Sequence, residues 1–161
     1  MNAFQGLPQL TELRLNDNSF GDEGAAQLAL ALRQLPTLKV LWLGTCGIKA
    51  EGAAALAPAL QQLPELKHLD LEGNSLGVEG VAALEPALQG LVGLQRLFLS
   101  GNGLEGAAGA TALVPALRQL AGLTELVLDG NNFGDEGGRR ARPDAEAADH
   151  AWGPEHGSVR H

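Results

Sequence analysis

Aromatic residues are scarce in this 161-residue chain, which has four phenylalanines, two tryptophans and no tyrosine. A core must therefore come from aliphatic side chains, and the leucine, alanine and glycine that dominate suit one small unit repeated many times. Leucine in that quantity also excludes a disordered chain. Cysteine is rarer still. Cys46 stands alone, so the chain can close no disulfide within itself and has no zinc-spaced cysteine set. Basic residues are few: 11 Lys and Arg against 19 Asp and Glu, for a formal charge of −8. That balance disfavours a nucleic-acid backbone as partner and favours a basic protein surface. No stretch of about 18 uninterrupted apolar residues occurs, so no membrane partner is expected. Met1 to Leu10 has neither a basic nor an apolar leader region, so no signal peptide is expected and the cytoplasm is the expected location. No G-x-x-x-x-G-K-[ST] segment is present, and no cofactor is expected.

What the chain does have is periodicity. Five segments align: LTELRLNDNSF from Leu10, LKVLWLGTCGI from Leu38, LKHLDLEGNSL from Leu66, LQRLFLSGNGL from Leu94 and LTELVLDGNNF from Leu123. Subtracting their first positions gives intervals of 28, 28, 28 and 29. The extra residue falls between Leu104 and Gly109. Each segment fits L-x-x-L-x-L-x-x-N/C-x-L/F/I, a leucine-rich-repeat pattern.

The second half of each unit repeats as well. A glycine follows each segment, at Gly24, Gly52, Gly80, Gly109 and Gly137. After the first four, apolar residues recur at spacings of 3, 4 and 3, as in Ala25, Leu28, Leu32 and Leu35. Such spacing predicts a helix with one buried stripe. Ala31, Ala59, Ala87 and Ala116 lie beside the stripe, where small side chains let neighbouring helices lie close. Asn18, Asn74, Asn102 and Asn131 share one column at the end of each strand. An amide there can serve backbone donors and acceptors of adjacent coils, and a stack of coils would make a ladder of such bonds. Cys46 takes that column in the second unit, as a small buried residue and a weaker partner. Pro58, Pro86 and Pro115 share another column inside the helical stretches, where a kink or a helix restarting at the proline is expected.

The unit length, the strand-then-helix order, the Asn/Cys column and the run Gly21, Asp22, Glu23, Gly24, Ala25, Leu28, Ala29, Ala31, Leu32 resemble leucine-rich repeats of the ribonuclease-inhibitor type. The resemblance covers residues 1 to about 137. It implies an α/β fold, a curved solenoid with parallel strands on the concave face and helices on the convex face. It also implies a non-enzymatic protein-binding scaffold. Within the same family, Ran GTPase-activating protein offers a second reading, a regulator of a small GTPase. A third is a fragment of a larger leucine-rich-repeat receptor, since Phe4 to Leu10 match the tail of a preceding helix. An open first coil would then be an edge for self-association.

In L-x-x-L-x-L the leucines point inward and the x residues outward. The central column reads Arg14, Trp42, Asp70, Phe98, Val127. The preceding column reads Glu12, Val40, His68, Arg96, Glu125, and the following one Asn16, Gly44, Glu72, Ser100, Asp129. Exposed aromatics beside charges are what a protein-binding patch looks like. Trp42, His68, Asp70, Glu72, Arg96 and Phe98 are the candidate protein-contact residues. The plainer reading is an ordinary variable surface. His68, Asp70 and Glu72 alternate along one strand, but one histidine with two carboxylates on an open face is normally a solvated set, so neither a metal nor a catalytic site is expected.

Past Gly137 the leucines vanish. Residues 1–137 thus form the repeat array, four full units and a fifth strand. For 138–152 two readings stand: an alanine-lined capping helix, or an unpacked tail. Residues 153–161 are expected to be disordered.

Overall fold

A computed structural model describes residues 7–134 and 158–160. Short strands alternate with helices: β1 (Glu12–Arg14), α1 (Gly21–Leu32), β2 (Val40–Trp42), α2 (Ala50–Leu60), β3 (His68–Asp70), α3 (Gly77–Gly90), β4 (Arg96–Phe98), α4 (Gly106–Gln119), β5 (Glu125–Val127) and β6 (Ser158–Arg160). The first five strands pair in chain order and in parallel, with Leu13, Leu41, Leu69, Leu97 and Leu126 in one row. Each helix packs on the next. This is the α/β solenoid that the repeat implies. Strands sit about 4.8 Å apart and packed helices about 8–10 Å apart, so stacking identical coils puts the sheet on the inside of the bend.

The repeat leucines fill the space between sheet and helices. Leu41, Leu43, Leu56, Leu60 and Leu63 are fully buried, and the third unit repeats the arrangement with Leu69, Leu71 and Leu84. Burying one leucine side chain is worth about 1.5–3 kcal/mol, and the sequence repeats that contribution coil after coil. The small residues of the helices are buried as well: Ala59 and Ala87 fully, with Ala31 and Ala116 nearly so. The extra residue of the fourth interval is absorbed before α4, in the loop between Leu104 and Gly106.

Of the two expectations for the prolines, a restarting helix is not what the structure has. Helices α2, α3 and α4 each run through their proline rather than restarting at it. Pro58, Pro86 and Pro115 are all exposed or half-exposed, as are Ala54, Ala82 and Thr111 four residues before them. The carbonyls that lose a donor thus lie on the solvent side, where water replaces the missing bond, and the leucine stripe on the other side holds the helix together.

Residues 158–160 form β6, which pairs antiparallel with β5. An unpaired edge strand offers a row of free backbone groups, and this pairing occupies them. The alternatives for 138–152 lie outside the described residues, as do 1–6, 135–137, 153–157 and 161.

Candidate protein-binding face

Two sets of hydrogen bonds fix the ends of the strands and hence the rows on the sheet face. The first is the asparagine ladder. Asn74 accepts the backbone N–H groups of Cys46 and Ile48 on its Oδ1, both at 3.0 Å, and donates from Nδ2 to the carbonyls of Leu43 and Leu71. Asn131 repeats this in a later coil, accepting from Asn102 and Leu104 and donating to Leu99 and Leu128. Asn102 donates to Leu71 and Leu99. Cys46 fulfils only the donor half: its thiol donates to the Leu15 carbonyl at 3.0 Å. Burial pushes that thiol's pKa up, against a lowering backbone hydrogen bond at Asn18 and with smaller upward contributions from Asp17 and Asp70, so the thiolate is disfavoured there.

The second set concerns the helices. No helix among the described residues has a side-chain N-cap of its own. Helix α2 is served from the preceding coil instead: Asp22 Oδ1, in the first turn of α1, accepts the N–H groups of Lys49 at 2.7 Å and Gly52 at 2.9 Å. Gly52 is required there, since a Cβ would lie 2.5 Å from that oxygen.

With register fixed, the rows follow. Arg14, Trp42, Asp70, Phe98 and Val127 lie side by side across the sheet. Glu12, Val40, His68, Arg96 and Glu125 form the row before them. All six candidate contact residues therefore come from β2, β3 and β4 or the turn just beyond, on one face.

They are not alike in exposure. Glu72 and Arg96 are exposed, and Trp42, His68 and Phe98 are half-buried. Asp70 corrects the sequence expectation, for it is only 6% exposed. Its carboxylate accepts the Asn16 side-chain amide at 3.1 Å and the Glu72 backbone N–H at 2.8 Å. Asn16 lies two strands away, and the bond passes over Gly44 of the turn after β2, whose missing side chain leaves the passage open. A Cβ at Gly44 would lie 3.1 Å from both Asn16 Nδ2 and Asp70 Oδ2. Asp70 is therefore a structural brace of the face, not a group held out to a partner.

Both arginines on this face are paired with carboxylates of the same face. The Arg14 guanidinium lies 5.1 Å from the centre of the Trp42 ring and pairs with Glu12. Arg96 pairs with Glu125 at 3.3 Å. Burial, and then the Arg96 charge, push the pKa of His68 below its ordinary value, against weaker upward pulls from Glu125 and Glu12. The neutral imidazole is thus favoured over the charged form. Several polar atoms are buried without a partner: Asn16 Oδ1, Trp42 Nε1, Ser100 Oγ and Asp129 Oδ1. Sequence reasoning placed Ser100 and Asp129 in the right row but gave them no role. Among the described residues no group of three or more His, Cys, Asp or Glu is placed to hold a metal ion. No helix among them is long and apolar enough to cross a membrane.

The family model described as Leucine Rich repeat matches residues 7–29, 34–57, 62–84 and 123–139. The chain belongs to the leucine-rich-repeat family. The fourth unit, which carries the extra residue, is outside the matched segments. Among curated proteins, none matches this leucine-rich-repeat chain significantly. Solved structures similar to it include actin-binding site 2 of leiomodin-1, at 21% identity and TM-score 0.67 over 85% of this chain and 79% of that one. The C-terminal domain of tropomodulin from Caenorhabditis elegans is similar at 17% identity and TM-score 0.68, over 85% of this chain and 83% of that one. An internalin of Listeria monocytogenes is similar at 25% identity and TM-score 0.60; 88% of this chain corresponds to 34% of that protein. These likenesses share the repeat fold.

Proposed function

We propose that this leucine-rich-repeat chain is a non-enzymatic interaction scaffold that binds a protein partner through its sheet face. The observation that carries the reading is the central row. Trp42 and Phe98 are half-buried rings that alternate with the fully buried Leu41, Leu43, Leu97 and Leu99 and so lie on the sheet face opposite the core. Large rings on such a face are the usual anchors of a protein interface. His68, Glu72 and Arg96 surround them and supply the polar rim, and Asp70 holds the rim in place through Asn16 and Glu72. The similar leiomodin-1 structure is that of an actin-binding site, which supports protein binding as a use of this fold. Helices of 11 to 14 residues on the outer side, with a 28-residue unit, support the ribonuclease-inhibitor type within the family.

Affinity capture with the whole chain, compared with a Trp42→Ala/Phe98→Ala double variant, tests the reading. Partners held by the parent and lost by a variant that melts cooperatively support the sheet face. Equal retention by both removes it.

A further inference from the structure

The two aromatic positions of the central row differ in one respect. At Trp42 a cation, a ring and a carboxylate are assembled from this chain alone: Arg14 lies over the ring and pairs with Glu12. At Phe98, two strands along the same row, no cation of the described residues lies over the ring. The arginine of its own strand, Arg96, is engaged with Glu125.

The carboxylates for such an assembly are nonetheless in place. Ser100 follows Phe98 on the same face, just past β4. In the row that contains it, Glu72 lies on one side and Asp129 on the other, in the turns after β3 and β5. The backbone bonds from Gly73 to Ser100 and from Gly101 to Asp129 hold these turns together. Among the described residues, neither Glu72 nor Asp129 makes an ion pair. Ser100 is only 7% exposed, yet its hydroxyl oxygen has no partner, and neither has Asp129 Oδ1 of the next turn. A buried acceptor left without a donor is unfavourable, so a rotation of either side chain that brings its oxygen to the surface lets this row gain from an arriving N–H group.

We propose that the Phe98 position is a seat for a cationic side chain of the partner, presented by an extended basic segment lying across the sheet. Its alkyl stem rests on the Phe98 ring, and its head sits over Ser100 between Glu72 and Asp129. The Arg14, Trp42 and Glu12 group is the internal template for this arrangement. Arginine fits better than lysine, because its planar fork can stack on the ring and still donate to both flanking carboxylates. An acidic or wholly apolar segment would cover two carboxylates with no counter-charge, which is costly. The net charge of −8 draws in the same class of partner. This inference rests on the sheet face being the binding surface.

The test is a titration of the isotope-labelled whole chain with a peptide of alternating arginine and glycine, followed by amide NMR at physiological ionic strength. The same peptide with glutamate in place of arginine is the control. Saturable shifts are expected at Phe98 to Gly101 and at Asp129 and Gly130, with the arginine peptide only. The Glu72→Gln/Asp129→Asn double variant should weaken binding by about tenfold or more, as loss of two flanking charges does. A charge-matched pair of substitutions away from the row, Glu23→Gln/Glu65→Gln, should change it by less than about twofold. Shifts elsewhere, no saturation, or equal loss in both double variants would overturn the proposal. If a captured partner is lost on Trp42→Ala/Phe98→Ala but kept on Glu72→Gln/Asp129→Asn, the sheet face stands as the binding surface and the cation seat falls.

Discussion

The side-chain amide of Asn16 donates to the carboxylate of Asp70 at 3.1 Å, although the two residues are 54 apart in the chain and a whole coil lies between them. Gly44, in that middle coil, has no side chain to interrupt the bond. Replacing Asp70 with alanine strands the Asn16 amide and the Glu72 N–H together. The expected cost is about 1–3 kcal/mol. Gly44→Ala should break the same bond from the other side, because its methyl would sit 3.1 Å from both partners. Denaturant melts of Asp70→Ala, Gly44→Ala and the double variant check this: a double cost equal to the sum of the singles would show that the two changes act independently.

The asparagine ladder and its cysteine rung should differ in what they contribute. Asn74→Ala leaves the Cys46 and Ile48 N–H groups and the Leu43 carbonyl buried without this partner. Cys46→Ala removes only a weak thiol donor. The first should cost about 3 kcal/mol or more and the second about 1 kcal/mol, judged from the number of stranded groups. Equal costs by chemical denaturation would mean that the amide does no more than fill space.

The cap that Asp22 gives to α2 makes a prediction about a neighbouring coil. Asp22→Ala should destabilise by about 1 kcal/mol, the usual cost of a lost helix cap, and the loss should be felt in α2 rather than in the substituted helix. Amide hydrogen exchange would locate it: faster exchange at Lys49 and Gly52 is expected, since their N–H groups are the ones released. Unchanged exchange there would assign the cap no energetic role.

His68 makes the stability of the array depend on pH. Its pKa is held below the ordinary value by burial and by Arg96, with Glu125 and Glu12 pulling the other way. The unfolded chain therefore binds a proton on this side chain more readily than the folded one does. The favourable contribution of neutral His68 is fully present above the ordinary histidine pKa of about 6.5 and is lost as pH falls through the folded value. The melting temperatures of the parent and of His68→Gln, compared across that window, isolate the effect. The parent should lose stability more steeply as the pH drops, and parallel curves would contradict the assignment.

The coarse architecture was legible because one spacing is written into the chain five times. Leu13, Leu41, Leu69, Leu97 and Leu126 form a single row, as the aligned segments require. The amides of Asn74, Asn102 and Asn131 bond from coil to coil, as their shared column suggested. That the helices continue through the prolines was not legible, because a single-residue rule says nothing about which side of the helix carries the lost bond; here it is the wet side. Asp70 misled for another reason. Alternation put it outward, and only the pairing with Asn16 across the glycine between them reveals that it is covered. That signal was present in the sequence as Gly44, the sole residue of its column without a side chain.

The cap from Asp22 and the bonds of Asn74 share a further property: they fasten a coil to its neighbour rather than to itself. Stability in such an array belongs to the junctions, in the manner of a one-dimensional chain of coupled spins. Copying a whole 28-residue unit adds one more junction of the same kind, whereas cutting within a unit severs the junctions on both of its sides. The molecule is therefore easier to lengthen than to trim.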